Sequence, residues 1–344
     1  MSFDPLERVR LGHAHVEITR LGFGTAEIGG LYTAVSDDEA ATVLDHAWDS
    51  GVRYFDTAPQ YGLGNSERRL GAALRGRSRD AFTLSSKVGR LLVPAASVAS
   101  DADMDLGTVD SRGVGIFKGV DDVRIVYDYS RDGVMRSIEA TLQRMGLDRL
   151  DIVYIHDPDE HWQDAMESAY PALHELREQG VVGAIGAGMT QVETLSRFAR
   201  EGDFDVFMVA GRYTLLDQTA LPELLPICVQ KGISVVAVGV MNSGILADPR
   251  VGARFNYVEA PPDLIERAQR LAEVCSRHGV ALKTAAIQFP MGHPSVASVT
   301  SGVRTAEHFD DYPRAMVAKI PADLWQDLRH QGLIDADAPV PGDD

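Results

Sequence analysis

The chain has 344 residues, 45% of them apolar and 24% charged, enough to bury a large core in one α/β barrel or in two domains. Its 50 acidic against 33 basic side chains give a formal net charge of -17, which excludes nucleic acid as a partner, because phosphate binding needs a basic surface. The start MSFDPLERVR has no secretory pattern, no window is apolar for long enough to span a bilayer, and the two cysteines, Cys228 and Cys275, form neither a zinc cluster nor a disulfide scaffold. A cytoplasmic location without a membrane partner is expected.

In chain order, 9–18 reads as a hairpin placed to cover a barrel floor. Short apolar runs then alternate with segments of helical period: strand 21–24 with helix 38–49, 52–55 with 66–74, and 82–84 with 131–145. The alternation tightens afterwards, as 151–155 with 164–179, 183–187 with 191–201, 206–210 with 222–231, 234–238 with 263–278, and 296–300 with a helix from 306 on. Eight strand–helix units are the number that closes a parallel barrel, so the expected fold is an α/β (β/α)8 TIM barrel, one domain over 1–344. Ser36 with Glu39 and Thr190 with Glu193 have capping-box form where helices should begin. Gly51, Gly180, Gly232 and Gly279 follow predicted helices, where a residue tolerant of positive φ turns the chain toward the next strand.

Two stretches break the alternation. Residues 90–128 are rich in Asp, Gly, Ser and Val without a clear helix and read as a long loop on the substrate side; 239–262 form a shorter loop after the seventh strand. An open doubly wound dinucleotide fold should carry G-x-G-x-x-G after its first strand, and that motif is absent. So are the G-x-x-x-x-G-K phosphate loop, the G-x-S-x-G elbow and the H-E-x-x-H pair.

In a closed β/α barrel the chemistry sits at the C-terminal ends of the strands. Asp56 ends the second strand with Tyr61 just beyond it, Lys87 ends the third and His156 the fourth. Each residue type alone also serves structure, as a cap, a solvated charge or a packed imidazole. Together they make a proton-transfer set: reducing a carbonyl needs a proton delivered as hydride arrives, and the reverse needs it removed. A tyrosine does both once its pKa is lowered by a nearby ammonium, which Lys87 supplies while Asp56 orients it. His156 would then orient the substrate oxygen.

The segments Gly22-Phe23-Gly24-Thr25-Ala26, Tyr54-Phe55-Asp56-Thr57-Ala58 with Tyr61-Gly62, Ser85-Ser86-Lys87, Tyr154-Ile155-His156-Asp157-Pro158 and Ser301-Gly302-Val303-Arg304 resemble, in order and spacing, the aldo-keto reductase superfamily. The resemblance runs over nearly the whole chain and implies a β/α barrel that binds NADP or NAD without a Rossmann motif, with Asp56, Tyr61, Lys87 and His156 as catalytic residues. Tyr127-Asp128-Tyr129-Ser130, His156-Asp157-Pro158-Asp159, Ile185 to Met189 and Gly211 to Leu216 are most similar to a bacterial branch of aldose 1-dehydrogenases and pyridoxal dehydrogenases. That branch implies oxidation of a sugar hemiacetal to a lactone, with pyridoxal oxidation or general aldehyde reduction as alternatives.

The same resemblance implies cofactor contacts at Gly24, Thr25 and Ala26, and at Gly188, Met189, Ala210 and Val238, where many relatives instead carry the Ser-Asn, Gln and aromatic residues that hold the nicotinamide. It places the phosphates near Gly239, Asn242, Gly244, Ser301 and Gly302, and a 2′-phosphate or adenine near Arg304, His308 and Asp311. Tyr32, Trp162 and Tyr213, with the 90–128 loop and Arg254 to Tyr257, would line a pocket for a small carbonyl or sugar substrate. The sequence leaves oligomeric state open. Two rival readings remain: a metal-dependent barrel hydrolase using His13, His15, His156, Asp157, Asp159, Glu160 and His161, and a nucleotide-binding regulatory barrel with little turnover. No metal is expected, because His13 and His15 precede the first barrel strand.

Overall fold

The computed structural model describes residues 2–98, 102–104, 116–117 and 122–343. Parts of the predicted long loop, 99–101, 105–115 and 118–121, lie outside them. The chain begins with an antiparallel hairpin, β1 (Arg8–Arg10) and β2 (Glu17–Thr19), as expected. Barrel strands β3 (Leu21–Gly24), β4 (Tyr54–Asp56) and β5 (Thr83–Val88) follow, then a second hairpin of β6 (Arg90–Pro94) and β7 (Val123–Tyr127). The barrel continues through β8 (Ile152–His156), β9 (Ala184–Met189), β10 (Val206–Ala210) and β11 (Ser234–Val238). A third small hairpin, β12 (Arg254–Phe255) and β13 (Val258–Glu259), precedes β14 (Val296–Gly302), which pairs with β3 to close eight parallel strands.

The period-2 geometry of a strand sends alternate side chains to opposite faces. Outward-facing Phe55, Leu84, Val153, Ile155, Phe207, Val235 and Val299 join the large core beneath the helices. Inward-facing Tyr54, Ile152, Tyr154, Val206, Met208 and Val236 fill the barrel with Leu11, Ala14, Val16 and Ile18 from the floor hairpin. Each such aliphatic or aromatic side chain, fully buried, contributes about 1.5–3 kcal/mol. The hairpin therefore closes the bottom, and only the strands' C-terminal ends remain open for chemistry.

Three local expectations are corrected. Residues 90–128 are not one irregular loop, because both ends pair as β6 and β7, with Arg90 opposite Tyr127 and Leu92 opposite Ile125. The Asp- and Gly-rich middle hides these two short apolar runs, Arg90–Pro94 and Val123–Tyr127. Ser36 and Glu39 form the expected reciprocal cap, but Thr190 does not cap: the helix Val192–Glu201 starts one residue later, and the Thr190 hydroxyl donates to Gln191 Oε1 at 2.9 Å. Two helices, Leu282–Gln288 and Ala322–His330, lie where no helix is expected. The first is short and mostly buried around Ala285 and Ala286, which erases an amphipathic period.

The glycines expected after helices, Gly51, Gly180, Gly232 and Gly279, all have positive φ. Cys228 and Cys275 are buried free thiols, pushed up by burial to about 12 and about 11, which leaves them protonated and unreactive.

Candidate active site

The same alternation that fills the barrel builds its upper layer. Tyr54 and Asp56, Ser85 and Lys87, and Tyr154 and His156 are i, i+2 pairs on β4, β5 and β8, so each polar strand-end residue faces inward above a barrel-filling neighbour. Tyr61 arrives by a compact turn in which its amide donates to Ala58 O at 3.1 Å and Gly64 N donates to Pro59 O at 2.9 Å. Gly62, at φ 63, fits because its backbone lies against Gly29; a Cβ there would fall on the Gly29 carbonyl oxygen.

Lys87 Nζ donates to Asp56 Oδ2 at 2.6 Å and to Thr57 O at 2.9 Å. Ser85 Oγ donates to Asp56 Oδ1 at 2.6 Å and contacts Tyr54 OH, which shares a 3.2 Å hydrogen bond with Tyr154 OH. The ammonium lies 4.8 Å from the Tyr61 ring centroid, and the Tyr61 and His156 rings meet edge to face at 5.9 Å. All four sequence-predicted residues thus converge at one end of the barrel. Residues 116–117 reach the same place: Phe117 lies 6.2 Å from the Tyr61 ring, and Ile116 O accepts from Tyr32 N at 2.7 Å.

The electrostatics correct one expectation. The Tyr61 phenol is not lowered but pushed well above its ordinary 10, first by burial and then by Asp56, Tyr257 and Asp157, with Arg90 pulling it down. The Lys87 ammonium, paired with the Asp56 carboxylate 2.6 Å away, does not offset that burial. Burial, with Arg90 and Lys87 adding repulsion, holds the His156 imidazolium well below 6.5, so the ring is neutral at pH 7. Burial also raises the Asp56 carboxyl, while Lys87 and Ser85 draw it back down.

A cleft of about 450 Å³ runs from this layer across the open barrel end. Of the predicted contacts, Gly24, Ala26, Tyr32, Ala210, Val238, Gly239, Asn242, Gly244, Gly302, Arg304, His308 and Asp311 line it, as do Asn256 and Tyr257. Others do not. Thr25 is buried beneath, its hydroxyl donating to Asp56 O at 2.8 Å. Gly188 packs against Met208 inside the barrel, and Met189 belongs to the helix-side core. Trp162 is spent on Phe198 at 6.1 Å and on the Arg197 guanidinium at 3.5 Å. Tyr213 is 1% exposed against Phe289 and His293, too deep to meet a substrate. Ser301 lies in β14, and its side chain is outside the described residues.

Three lining residues, Asn242, Arg304 and Asp311, have side-chain roles different from those expected. Asn242 holds the loop together, with Nδ2 donating to Gly211 O at 3.0 Å and Oδ1 accepting from Thr214 Oγ1 at 2.6 Å. Arg304 is paired with Glu27 at 3.2 Å, and Lys283 with Asp311 at 2.6 Å. Tyr312, which with Asp311 stands where the family's adenine-contacting pair lies, also lines the cleft, and Glu27, Met208, Lys283 and Thr300 line it without having been singled out in the sequence. Helix-start Lys283 and strand-interior Met208 carry no motif that marks them.

A nicotinamide dinucleotide fits this cleft on the chemistry of its walls. Gly24, Ala26, Ala210, Gly239, Gly244 and Gly302 leave backbone approachable, Thr300 Oγ1 is buried in the wall without a partner among the described residues, and the helix Ala306–Val317 begins beside it. His13 and His15 lie at the opposite, floor end: His13 packs against Gly232, and Arg10 reaches His15 Nδ1 at 3.4 Å. No group of three or more His, Cys, Asp or Glu residues among the described residues is arranged to hold a metal ion.

A closed β/α barrel with a buried Lys–Asp pair, a tyrosine and a neutral histidine at the strand ends defines a class of NAD(P)-dependent oxidoreductases that lack the Rossmann motif. The chain belongs to the aldo/keto reductase family, whose model matches residues 20–331. It is 44% identical to the D-threo-aldose 1-dehydrogenase of a Pseudomonas species over 93% of this chain and 96% of that protein. It is 39% identical to the pyridoxal 4-dehydrogenase of Microbacterium luteolum over 95% and 98%. Among solved structures, the holo form of aldo-keto reductase AKR11C1 from Bacillus halodurans superposes with a TM-score of 0.74 at 21% identity, covering 98% of both chains. The likeness of that structure concerns the fold. Among the described residues no helix is long and apolar enough to cross a membrane.

Proposed function

We propose that this oxidoreductase is an aldose 1-dehydrogenase that oxidises the C1 hydroxyl of a sugar hemiacetal to a lactone, with Asp56, Tyr61, Lys87 and His156 as its catalytic set. The observation that carries the reading is the buried Lys87–Asp56 pair beside Tyr61, whose ring meets His156 edge to face, with Asp56 and Tyr61 lining the cleft. The substrate class follows the 44% identity to a D-threo-aldose 1-dehydrogenase.

The bound dinucleotide supplies the hydride acceptor at the C1 hydrogen. Tyr61, as phenolate, takes the C1 hydroxyl proton; in the reverse direction, as phenol, it returns the proton to the carbonyl oxygen. Neutral His156 hydrogen-bonds the same oxygen and orients it. Lys87 fixes Asp56 and brings positive charge beside the Tyr61 ring, where the phenolate develops. Gly24, Ala26, Gly239, Gly244 and Gly302 would receive the cofactor, and Arg304, His308, Lys283 and Asp311 would surround its far end. Tyr32 and Tyr257 flank the cleft mouth and also suit a flat pyridine ring, which favours pyridoxal as the second substrate to test.

The test follows reduced-cofactor absorbance with L-fucose, L-galactose, D-arabinose, pyridoxal and simple aldehydes, each with NAD and NADP. Lactone formation from an aldose that is abolished in Tyr61→Phe is expected. Turnover of none of the sugars, or full sugar turnover by Tyr61→Phe, overturns the reading.

A further inference from the structure

Asp157, next after His156, is a non-glycine residue at φ 38, in the left-handed region that costs such residues free energy. The surroundings impose it. Asp157 N donates to Gly188 O at 3.0 Å, and the Tyr129 hydroxyl donates to His156 O at 2.9 Å and reaches Asp157 O at 3.2 Å. Tyr129 itself packs on the backbone of Gly89, at φ 102, where any Cβ would strike its ring. This turn brings the Asp157 carboxylate back over the strand end, with Oδ2 3.5 Å from His156 Nε2 and 3.2 Å from Arg90 Nη2. Arg90 is the first residue of β6, so the hairpin that springs from β5 delivers the guanidinium to the site.

A neutral imidazole carries one proton, on either Nδ1 or Nε2, and the choice decides which nitrogen donates. His156 Nδ1 is buried without a hydrogen-bond partner among the described residues, so nothing near it favours a proton there. A carboxylate oxygen facing Nε2 favours an N–H over a lone pair at that position. Arg90, sharing the same oxygen at 3.2 Å, holds the carboxylate in place and limits its pull on the proton.

We propose that Asp157, held by Arg90, fixes His156 as the Nε2–H tautomer in the free enzyme, and that this N–H, held at the carboxylate only by a long 3.5 Å contact, turns to the substrate oxygen when substrate binds. Asp157 and Arg90 are positioning residues that act through His156. The inference rests on the reading of His156 as the partner of that oxygen. It adds a device that strand-end reasoning does not reach, since Arg90 and the Asp157 turn lie outside the barrel strands.

The test uses the full chain labelled with ¹⁵N-histidine, with the His156 signals assigned by their loss in His156→Ala. In the wild-type protein these signals should report a proton on Nε2; in Asp157→Asn they should shift toward the Nδ1–H form or a mixture. The reduction rate of Asp157→Asn should fall about tenfold to a hundredfold, part of what a positioned acid or base supplies, with the dinucleotide Kd unchanged. Adding Asp157→Asn to His156→Ala should cost nothing further. An unchanged tautomer in Asp157→Asn, or an equal loss on the His156→Ala background, overturns the proposal. Full activity of His156→Ala overturns instead the role given to His156, while the ¹⁵N signals still decide the tautomer. If Asp157→Asn melts early, Arg90→Lys carries the same spectroscopic readout: a shift toward Nδ1–H supports the proposal, and an unshifted spectrum counts against it.

Discussion

The Lys87 ammonium meets the Asp56 carboxylate at 2.6 Å with the two side chains only 1% and 4% exposed. Desolvating such a pair costs several kcal/mol per ion, offset only while both charges and their extra hydrogen bonds from Ser85 and to Thr57 O are present. Lys87→Met strands a buried carboxylate and should lose about 3–5 kcal/mol of stability, whereas the double variant Lys87→Met with Asp56→Leu should recover part of that loss. Denaturant unfolding of the single and double variants measures both. A double variant less stable than Lys87→Met would contradict the account.

Tyr61 carries a proton at neutral pH because burial pushes its phenol well above 10. On the role proposed for Tyr61, the reductive direction uses the phenol, so its kcat/KM should be level across pH 6 to 9. On the same role the oxidative direction uses the phenolate, whose fraction grows tenfold per pH unit below the pKa; log kcat/KM for the proposed sugar substrate should therefore climb with a slope near one. His156 is already neutral and should add no inflection near 6.5. Paired pH profiles check this, and an oxidative plateau beginning near pH 7 would show that substrate and cofactor move the phenol far below its position here.

The barrel was legible because period-2 runs and helical periods repeat in register, and the four site residues because each is the last inward residue of its strand or just past it. Other parts were hidden for physical reasons. Trp162 and Tyr213 look like pocket aromatics in sequence, but a ring packs as readily under Arg197 or against Phe289 as it lines a cleft. Glu27 meets Arg304 only across the closure of the barrel between β3 and β14, and Lys283 meets Asp311 where the helices before and after β14 pack together. Arg90 sits at the edge of a stretch whose polar composition reads as loop, and its pairing with Asp157 depends on a backbone turn that no residue pattern announces.

His293 gives the fold an acid sensitivity separate from catalysis. The ring is 6% exposed, its Nδ1 accepts from Ser295 N at 3.3 Å, and burial lowers its pKa from 6.5 to about 4. The unfolded chain thus binds this proton more readily than the folded one. The stability that follows is present above pH 6.5 and lost as pH falls toward 4, to a total of about 3 kcal/mol. His293→Asn keeps an acceptor for Ser295 without titrating in this window. Its unfolding free energy should fall less than that of wild type between pH 7 and 4, and parallel pH dependences would remove His293 from the explanation.

Asn256 and Tyr257 form the turn between β12 and β13 with φ of 49 and 68, the two-residue hairpin geometry in which glycine normally takes the second place. A tyrosine there costs about 1–2 kcal/mol of backbone free energy. What it gains is position: Tyr257 N donates to Ser243 Oγ at 3.1 Å, and the ring joins the wall of the cleft. Tyr257→Gly separates the two effects, since it relaxes the turn and deletes the ring. The melting temperature should hold or rise, while the dinucleotide or the substrate binds about three- to tenfold more weakly, the equivalent of one aromatic contact of roughly 0.5–1.5 kcal/mol. Calorimetric titration with each ligand identifies which of them the ring faces. Unchanged affinity for both would mean that the left-handed tyrosine serves the loop alone.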